Sequence, residues 1–372
     1  MNGNRLFSKT SAACAALSAA LVCGAAIVHA APAIDHGTPW VSVYASGLNN
    51  PRGLKFGPDG HLYVAEGGTG AAESTTGMCD QVIPPVGPYT GSATGSRVSR
   101  IDAHGTRTTV ADGFPSSQTN ARQGSLVSGA SDVAFIGGTL YVLTAGSGCS
   151  HGVANTTNGI FRVRHNGTHV QIADLTSFYM AHPVAQPEVD DFEPDGTPYS
   201  MIADNGTLFV VEPNHGELDA VQLSGSVRRI ADISASQGHI VPSAIASHDG
   251  NFYVGNLNPF PIVAGSSKIY KISRRGNVTV VAEGLTTVLG VAFDEEGRLY
   301  ALENTTGNPF PTPGTGRVVR VGPHGQLEVI VSGLFLPTAM TFGPDHNLYI
   351  SNVGFGPPPV GLGEILKVKL AD

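Results

Sequence analysis

Apolar and polar positions alternate along most of this chain in short segments, which are separated by turns rich in Gly, Asp and Asn. Alternation with a period of two predicts half-buried β-strands. One pattern recurs six times: a first strand that begins with small or apolar residues, a turn, and a second strand that opens with an apolar residue and an aromatic one. The six aromatic residues are Tyr63, Tyr141, Phe209, Tyr253, Tyr300 and Tyr349.

The spacing of these aromatic residues predicts the architecture. The last three intervals are 44, 47 and 49 residues, and the first two are 78 and 68. A period of about 40–50 residues is typical of the four-stranded blades of a β-propeller. The two longer intervals require insertions, which we place at 67–95, 114–129 and 176–197. The sequence therefore predicts an all-β fold, a six-bladed β-propeller.

The sixth repeat ends one strand short. Its third strand, at 365–368, is close to the end of the chain, whereas residues 41–48 have the pattern of a fourth strand and precede the first blade. We expect this N-terminal strand to complete the last blade. The ring would then be closed, with few exposed strand edges.

Residues 1–30 have the pattern of a secretory signal peptide. Arg5 and Lys9 precede an apolar stretch over 12–28, and small Ala30 marks the predicted cleavage site. The propeller would then occupy 31–372, and the mature protein would be secreted or periplasmic. A lipid anchor at Cys23 is the alternative, but Val22 stands where a small residue is expected. No later stretch approaches the ~18 apolar residues of a membrane span, so none is expected.

The net charge bears on the class of binding partner, and the cysteine content bears on disulfide bonding. The net charge is −8, and cleavage after Ala30 would remove two basic residues and make it −10. Nucleic acid is therefore not an expected partner. Only Cys79 and Cys149 remain after cleavage, and a pair of cysteines in an oxidising compartment favours one disulfide. The composition makes no prediction about the oligomeric state.

One face of the predicted propeller carries all the long loops. Loops between the second and third strands share a face with the connections between blades, whereas the opposite turns are tight. Binding residues concentrate on long loops held by a rigid scaffold. We therefore expect a small molecule or a protein to bind at this long-loop face.

A set of polar residues occupies equivalent positions at the end of the second strand. The six occupants are Glu66, Thr144, Glu212, Asn256, Glu303 and Asn352. All except Thr144 are candidate binding residues and candidate ligands of a divalent cation, since Ca²⁺ and Mg²⁺ prefer oxygen ligands. The alternative is a polar channel lining without an ion. Arg52 and Asp132, near the start of innermost strands, form either a substrate clamp or a buried ion pair.

Two stretches carry a resemblance to a known family. They are Thr197-Pro198-Tyr199-Ser200 running into Leu208–Asn214, and Phe252–Pro261 ahead of Lys268-Ile269-Tyr270. On these residues the chain resembles the ScyD/ScyE family of exported NHL-like propellers, from about Trp40 to Lys369. The resemblance implies the architecture and export but no catalytic residues. Asn214, which lies in the first stretch, joins the candidate binding residues.

The leading hypothesis is an exported binding scaffold that uses its long-loop face. The alternative is a metal-dependent hydrolase or lyase of the gluconolactonase-like or virginiamycin lyase-like type, with Glu66, Glu212 or Glu303 holding the ion. A quinone-dependent sugar dehydrogenase is disfavoured because few basic residues are available at the mouth for an anionic cofactor.

Overall fold

The strands of this protein form six sheets, five of four strands and one of five. The computed structural model describes residues 40–190, 192–354 and 361–370. The predicted signal peptide lies outside the described residues. Each innermost strand contacts the innermost strands of the two neighbouring blades, and blade 6 contacts blade 1, so the ring is closed. The prediction of an all-β, six-bladed β-propeller is confirmed.

Each blade is an antiparallel sheet, and in blades 1 to 5 the strands run outward in chain order, whereas the outermost strand of blade 6 comes from the N-terminal segment. The innermost strands of blades 1 to 6 are Pro51–Phe56, Ala130–Ile136, Ser200–Asp204, Pro242–His248, Val288–Phe293 and Ala339–Phe342. The second strands are Leu62–Glu66, Thr139–Thr144, Thr207–Glu212, Asn251–Asn256, Leu299–Glu303 and Leu348–Asn352. The third strands are Thr90–Ile101, Gly159–Val163, Glu217–Val221, Ser267–Ile272, Gly316–Val321 and Gly363–Lys369.

The outermost strands complete the blades. They are Arg107–Gln118, His169–Asp174, Val227–Asp232, Val278–Leu285, Leu327–Leu334 and, for blade 6, Trp40–Leu48. This N-terminal strand pairs antiparallel with the third strand of blade 6, from Trp40 opposite Lys369 to Leu48 opposite Gly363. The prediction that the N-terminal strand closes the last blade is confirmed.

Blade 1 carries most of the inserted length. Its third and outermost strands have 12 residues each, and Val127–Ser128 adds a fifth strand beside the outermost one. Residues 114–118 of the insertion predicted at 114–129 therefore continue a strand rather than forming a loop. The bulge between Ser92 and Ser96 lets this hairpin extend beyond the sheet onto the long-loop face.

The core lies between the blades, in six separate clusters of buried apolar residues, one for each pair of neighbours. The repeated aromatic residue of one blade commonly meets a phenylalanine of the next blade edge to face. Tyr63 contacts Phe135 with ring centroids 4.9 Å apart, and Tyr300 contacts Phe342 at 5.2 Å. Such pairs contribute about 0.5–1.5 kcal/mol beyond the area they bury. The six-fold aromatic repeat is thus the packing unit of the fold.

Short helices begin two of the connections between blades. Leu175–Ala181 and Ile233–Gln237 are α-helices, and Ala121–Gln123 and Cys149–His151 are single 3₁₀ turns. Asp174 and Asp232 cap the two α-helices by accepting hydrogen bonds from Ser177 N–H and Ala235 N–H. In the part of the chain that the structure describes, no helix has the length and apolar character needed to cross a bilayer.

Candidate ligand-binding site on the long-loop face

Loops on the long-loop face enclose one large concave space, which we call the loop-face cavity. Its volume is about 840 Å³, and its wall comes from segments 85–86, 122–126, 188–197, 213–214, 239–241, 257–261 and 310–313 together with Leu336. These segments belong to loops of blades 1, 3, 4 and 5 and to the connections between blades. The insertions seen in the sequence therefore build a cavity wall.

The lining of the cavity is mainly apolar. Blades 4 and 5 contribute the same four-residue motif, Asn-Pro-Phe-Pro, at 258–261 and 308–311. Phe260 and Phe310 both line the cavity, and both are exposed, at 38% and 67%. The backbone N–H of Ile262 donates to Pro309 O at 2.9 Å, which joins the two loops. Two matching aromatic loops thus stand side by side on one rim.

Glu188 and His239 lie next to each other in the cavity wall. His239 Nε2 lies 2.7 Å from Glu188 Oε2. Glu188 Oε1 accepts hydrogen bonds from the backbone N–H groups of Val189 (2.8 Å) and Asp190 (3.0 Å). Burial raises the pKa of Glu188, but His239 and these N–H groups outweigh burial and lower the pKa to about 2. Glu188 is therefore a fixed, ionised carboxylate in the cavity wall.

Glu193 anchors the same connection more deeply. Its two carboxylate oxygens contact Tyr89 OH at 2.6 Å and His151 Nε2 at 3.1 Å. Burial lowers the pKa of His151, but the Glu193 carboxylate outweighs burial and raises it. The backbone N–H of Glu193 donates to Asn214 Oδ1 at 2.8 Å. Asn214, a predicted binding residue, therefore lines the cavity and also holds its wall in place.

The five polar residues predicted as cation ligands at the ends of the second strands, which we call the ring, bond to protein groups in or next to their own blades. Glu66 binds Arg97 through two contacts of 2.8 Å and accepts the backbone N–H of Asn49 at 2.6 Å. Glu303 pairs with Arg317 and accepts the backbone N–H of Thr286 at 2.6 Å. Each side chain ties the chain segment entering its blade to the end of the second strand.

The other members of the ring make equivalent contacts within their blades. Glu212 accepts the backbone N–H of Thr197 at 2.7 Å and contacts His215 Nδ1 at 3.1 Å. Asn352 accepts the backbone N–H of Phe335 at 2.9 Å. Asn256 accepts the backbone N–H of Lys268 at 2.7 Å and donates to Ile240 O at 2.9 Å.

The five predicted metal ligands therefore do not fit a shared cation. Their oxygens face N–H groups and guanidinium groups, which are positive partners and take the place that a cation would need. Within residues 40–190, 192–354 and 361–370, no group of three or more His, Cys, Asp or Glu side chains is arranged to hold a metal ion. A Ca²⁺ or Mg²⁺ site at these positions stays a prediction, which these contacts do not support.

We predict that Glu303→Gln lowers stability and that divalent cations do not alter this result. The amide keeps one acceptor for Thr286 N–H but loses the charge that pairs with Arg317, so a loss of about 1–3 kcal/mol is expected. Melting temperatures of the wild type and the variant with Ca²⁺, with Mg²⁺ and with a chelator test this. A chelator that destabilises the wild type but leaves the variant unchanged would show a metal site at Glu303.

Arg52 and Asp132 bond to different partners. Arg52 donates to Tyr199 OH at 3.3 Å and lies over the Tyr199 ring, with the guanidinium carbon 5.7 Å from the centroid. Tyr199 OH in turn donates to Thr338 O at 3.3 Å. Because these residues belong to blades 1, 3 and 6, their contacts cross the central axis. Arg52 and Tyr199 thus fill the axis below the loops.

Asp132 joins blade 2 to blade 3. Its carboxylate accepts hydrogen bonds from Met201 N–H at 2.7 Å and from Ser200 Oγ at 3.1 Å. Burial raises the pKa of Asp132, and Lys55 and these hydrogen bonds oppose that rise without cancelling it. Arg52 and Asp132 each bond to residues of other blades, and their role as a substrate clamp or as a buried ion pair stays a prediction.

Comparisons with known proteins show the fold. A gluconolactonase from Xanthomonas campestris superposes with a TM-score of 0.56 over 89% of this chain and 90% of its own, at 14% identity. A putative glucose dehydrogenase from Thermus thermophilus gives 0.54 over 89% and 99%, at 16% identity. A luciferin-regenerating enzyme gives 0.53 over 89% and 95%, at 11% identity.

The chain shares the β-propeller fold with these solved structures. No family model matches the sequence, and no curated protein is similar enough to match it. At identities below 20%, the similarity to the solved structures shows a common fold and does not show common functional residues.

A buried group of acids lies between blade 2 and blade 3 of the propeller. Glu217 and Asp219 lie on the third strand of blade 3, and both are fully buried. Glu217 pairs with Arg229, whereas neither oxygen of Asp219 has a hydrogen-bond partner among the described residues. Burial raises the pKa of Asp219 well above its usual value, and the neighbouring Glu217 raises it further.

The predicted disulfide is present beside the cavity. Cys79 and Cys149 are bonded, with Cα atoms 6.3 Å apart. Cys79 lies in the loop of blade 1 that also supplies Pro85 and Val86 to the cavity wall. The bond fastens this loop to blade 2, so the prediction is confirmed and has a direct bearing on the site.

Sequence analysis missed most of the cavity. Glu188, His239, Phe260 and Phe310 were not among the candidate residues. The repeated Asn-Pro-Phe-Pro motif, at equivalent loops of adjacent blades, was a signal that could have identified the two phenylalanines. Glu188 and His239 are far apart in the sequence, and no spacing rule pairs them.

Proposed function

We propose that this protein is an exported, ScyD/ScyE-like binding propeller that holds a small molecule with a largely apolar body in the loop-face cavity. The observation that carries the proposal is the cavity itself, of about 840 Å³ with a mainly apolar lining. Sites for small molecules have volumes of about 300–1,000 Å³, with apolar walls and a few fixed polar groups. Glu188, Glu193 and Asn214 are such fixed polar groups.

The wall of the cavity supports binding because it is held before any ligand arrives. The connection at 188–197 is anchored to blades 2, 3 and 4 through His151, Asn214 and His239. A site that is already ordered loses less conformational entropy when it binds. The disulfide and the predicted signal peptide together support export, since disulfides persist mainly in oxidising compartments.

The metal-dependent hydrolase or lyase remains the second hypothesis, but no contact favours it. Its proposed ligands Glu66, Glu212 and Glu303 are bonded to Arg97, His215 and Arg317 within their own blades. The small-molecule hypothesis therefore has the stronger structural support.

We predict that Leu257→Glu weakens binding of the neutral fluorescent dye Nile red by about tenfold or more, which corresponds to about 1.4 kcal/mol. Leu257 lines the cavity and is half-buried, so the substitution replaces apolar surface by a charge that must be desolvated. Fluorescence titration gives the dissociation constants.

Leu223→Glu is the matched control. Leu223 is 41% exposed and lies in the tight turn between the third and outermost strands of blade 3, on the opposite face. This variant should bind the dye as the wild type does. Equal losses in both variants at unchanged melting temperature, or no loss in either, would contradict a binding site in the loop-face cavity.

A further inference from the structure

The charges on the wall of the loop-face cavity are unevenly distributed. Three acidic residues from one short segment, Glu188, Asp190 and Glu193, line the cavity. The basic lining residues are Arg122, on the connection between blades 1 and 2, and His239, which pairs with Glu188. One side of an otherwise apolar cavity is therefore negatively charged.

Glu188 keeps its charge although it is only 6% exposed. Two backbone N–H groups occupy its Oε1, and a single imidazole stands beside Oε2. A carboxylate held in this way cannot rotate to bury its charge elsewhere. Asp190, two residues further on, is exposed at the same wall and adds a second negative charge.

Two aromatic rings in the cavity are a second feature that favours a positively charged ligand. Phe260 and Phe310 line the same cavity as the carboxylates. A cation is attracted to the face of an aromatic ring within about 6 Å, most strongly where water is excluded. Carboxylates together with phenylalanine rings suit an ammonium group on an apolar body better than they suit a carboxylate, a phosphate or a neutral sugar.

We propose that the loop-face cavity selects organic cations, namely molecules with an apolar ring body and one positively charged nitrogen that lies near Glu188 and Asp190. This inference rests on the proposed function, because it specifies the chemical class of the ligand for the same cavity. It also assigns a role to Arg122: its guanidinium repels the ligand's charge and so directs that charge toward the 188–190 side.

The experiment compares two dyes with the same fused-ring body, Nile blue, which is a cation, and Nile red, which is neutral. Wild-type protein should bind Nile blue about tenfold more tightly than Nile red. Glu188→Gln, which keeps the acceptor for Val189 N–H and Asp190 N–H, should lower Nile blue affinity about tenfold. Asp190→Asn should lower it about threefold, since exposed charge pairs are worth at most about 1 kcal/mol.

Two further variants test whether charge at the cavity wall, rather than the net charge of the protein, controls the affinity for the cation. Arg122→Gln should raise Nile blue affinity about twofold to threefold, because a repelling charge is removed. Asp249→Asn removes one negative charge from the tight-turn face, where the Asp249 side chain is 84% exposed, and should leave both dyes unaffected. Nile red affinity should stay within about twofold in all four variants.

The outcomes distinguish this inference from the proposed function. If both dyes bind with equal affinity and Leu257→Glu weakens both, the cavity is a binding site but does not select cations, and the inference is overturned. If neither dye binds, the proposed function fails and the inference fails with it. If Glu188→Gln does not fold, Asp190→Asn and Arg122→Gln, which change exposed side chains, still decide the question.

Discussion

Asp219→Asn is expected to raise the melting temperature at pH 8 by roughly 2–6 °C. Asp219 is fully buried, and neither of its oxygens has a hydrogen-bond partner in the part of the chain that the structure describes. An ionised carboxylate in that position carries a desolvation cost and is repelled by Glu217. The amide has nearly the same shape without the charge, so about 1–3 kcal/mol of that cost should be recovered.

The dependence of the free energy of unfolding on pH is a second measurement of the destabilisation by Asp219. Burial raises the pKa of Asp219 above its unfolded value, so the folded protein retains a proton that the unfolded chain releases. The stability that this group contributes is complete below about pH 4 and is lost as the pH rises toward the folded pKa. Wild-type stability should therefore fall between pH 4 and pH 8, and the Asn variant should show a smaller fall.

Asp345→Asn is the matched control, because the same substitution there should have the opposite effect. Burial raises the pKa of Asp345, but Lys367 and Asn347 outweigh burial and lower the pKa to about 2. Lys367 Nζ lies 2.6 Å from its carboxylate. Removing this charge should lower the melting temperature at pH 8. A lower melting temperature for Asp219→Asn at pH 8 would mean that Asp219 is ionised and stabilised by a group outside the described contacts.

Reduction of the Cys79–Cys149 disulfide is expected to lower the melting temperature by roughly 10 °C. The two cysteines are 70 residues apart in the sequence. Cross-linking a segment of that length restricts the unfolded chain and stabilises the folded state by about 4 kcal/mol. The same treatment should weaken Nile red binding, because the loop that carries Cys79 also carries Pro85 and Val86 of the cavity wall.

A variant with both Cys79→Ser and Cys149→Ser separates this effect from side reactions of the reductant. Its melting temperature should match that of the reduced wild type and should not respond to reductant. If thiol labelling shows both wild-type cysteines reduced while the melting temperature stays unchanged, the disulfide does not contribute to stability.

The architecture could be predicted because its signals are periodic and local. Six aromatic residues at blade spacing indicate six interfaces, and each interface has its own buried cluster, such as that around Tyr300 and Met340. The missing strand of blade 6 was visible as a strand pattern at 41–48. The disulfide followed from counting the cysteines that remain after the predicted cleavage and placing both on one face.

The contacts of the candidate ring could not be predicted because position within a blade does not determine the partner of a side chain. A carboxylate at the end of a second strand has the same sequence context whether it binds a cation or clamps the backbone. For Glu66 the choice depends on Arg97, which lies directly opposite on the neighbouring strand but 31 residues later in the chain. For Glu303 it depends on Arg317, opposite in the same way.

The cavity wall could not be predicted because it is made by loops, some of them in the insertions and the others between regular strands, and none of these loops has the alternation of a strand. Glu188 meets His239 only because the connection between blades 2 and 3 folds across blade 3 toward the connection to blade 4. Such contacts depend on loop conformation, which alternation of apolar and polar residues does not encode. A motif that is repeated in two loops, such as Asn-Pro-Phe-Pro, is the one signal in the sequence that could have indicated part of the cavity wall.

Closure of blade 6 delays completion of the ring until the third strand of this blade has been synthesised. Trp40–Leu48 can pair only after Gly363–Lys369 has emerged, because these two strands are direct neighbours. A chain that stops before Gly363 would leave two unpaired strand edges, one on Trp40–Leu48 and one on Leu348–Asn352. Such edges recruit other chains and expose backbone to proteases. We therefore expect a copy that lacks Gly363–Lys369 to be more prone to aggregation and proteolysis than a copy that contains this strand.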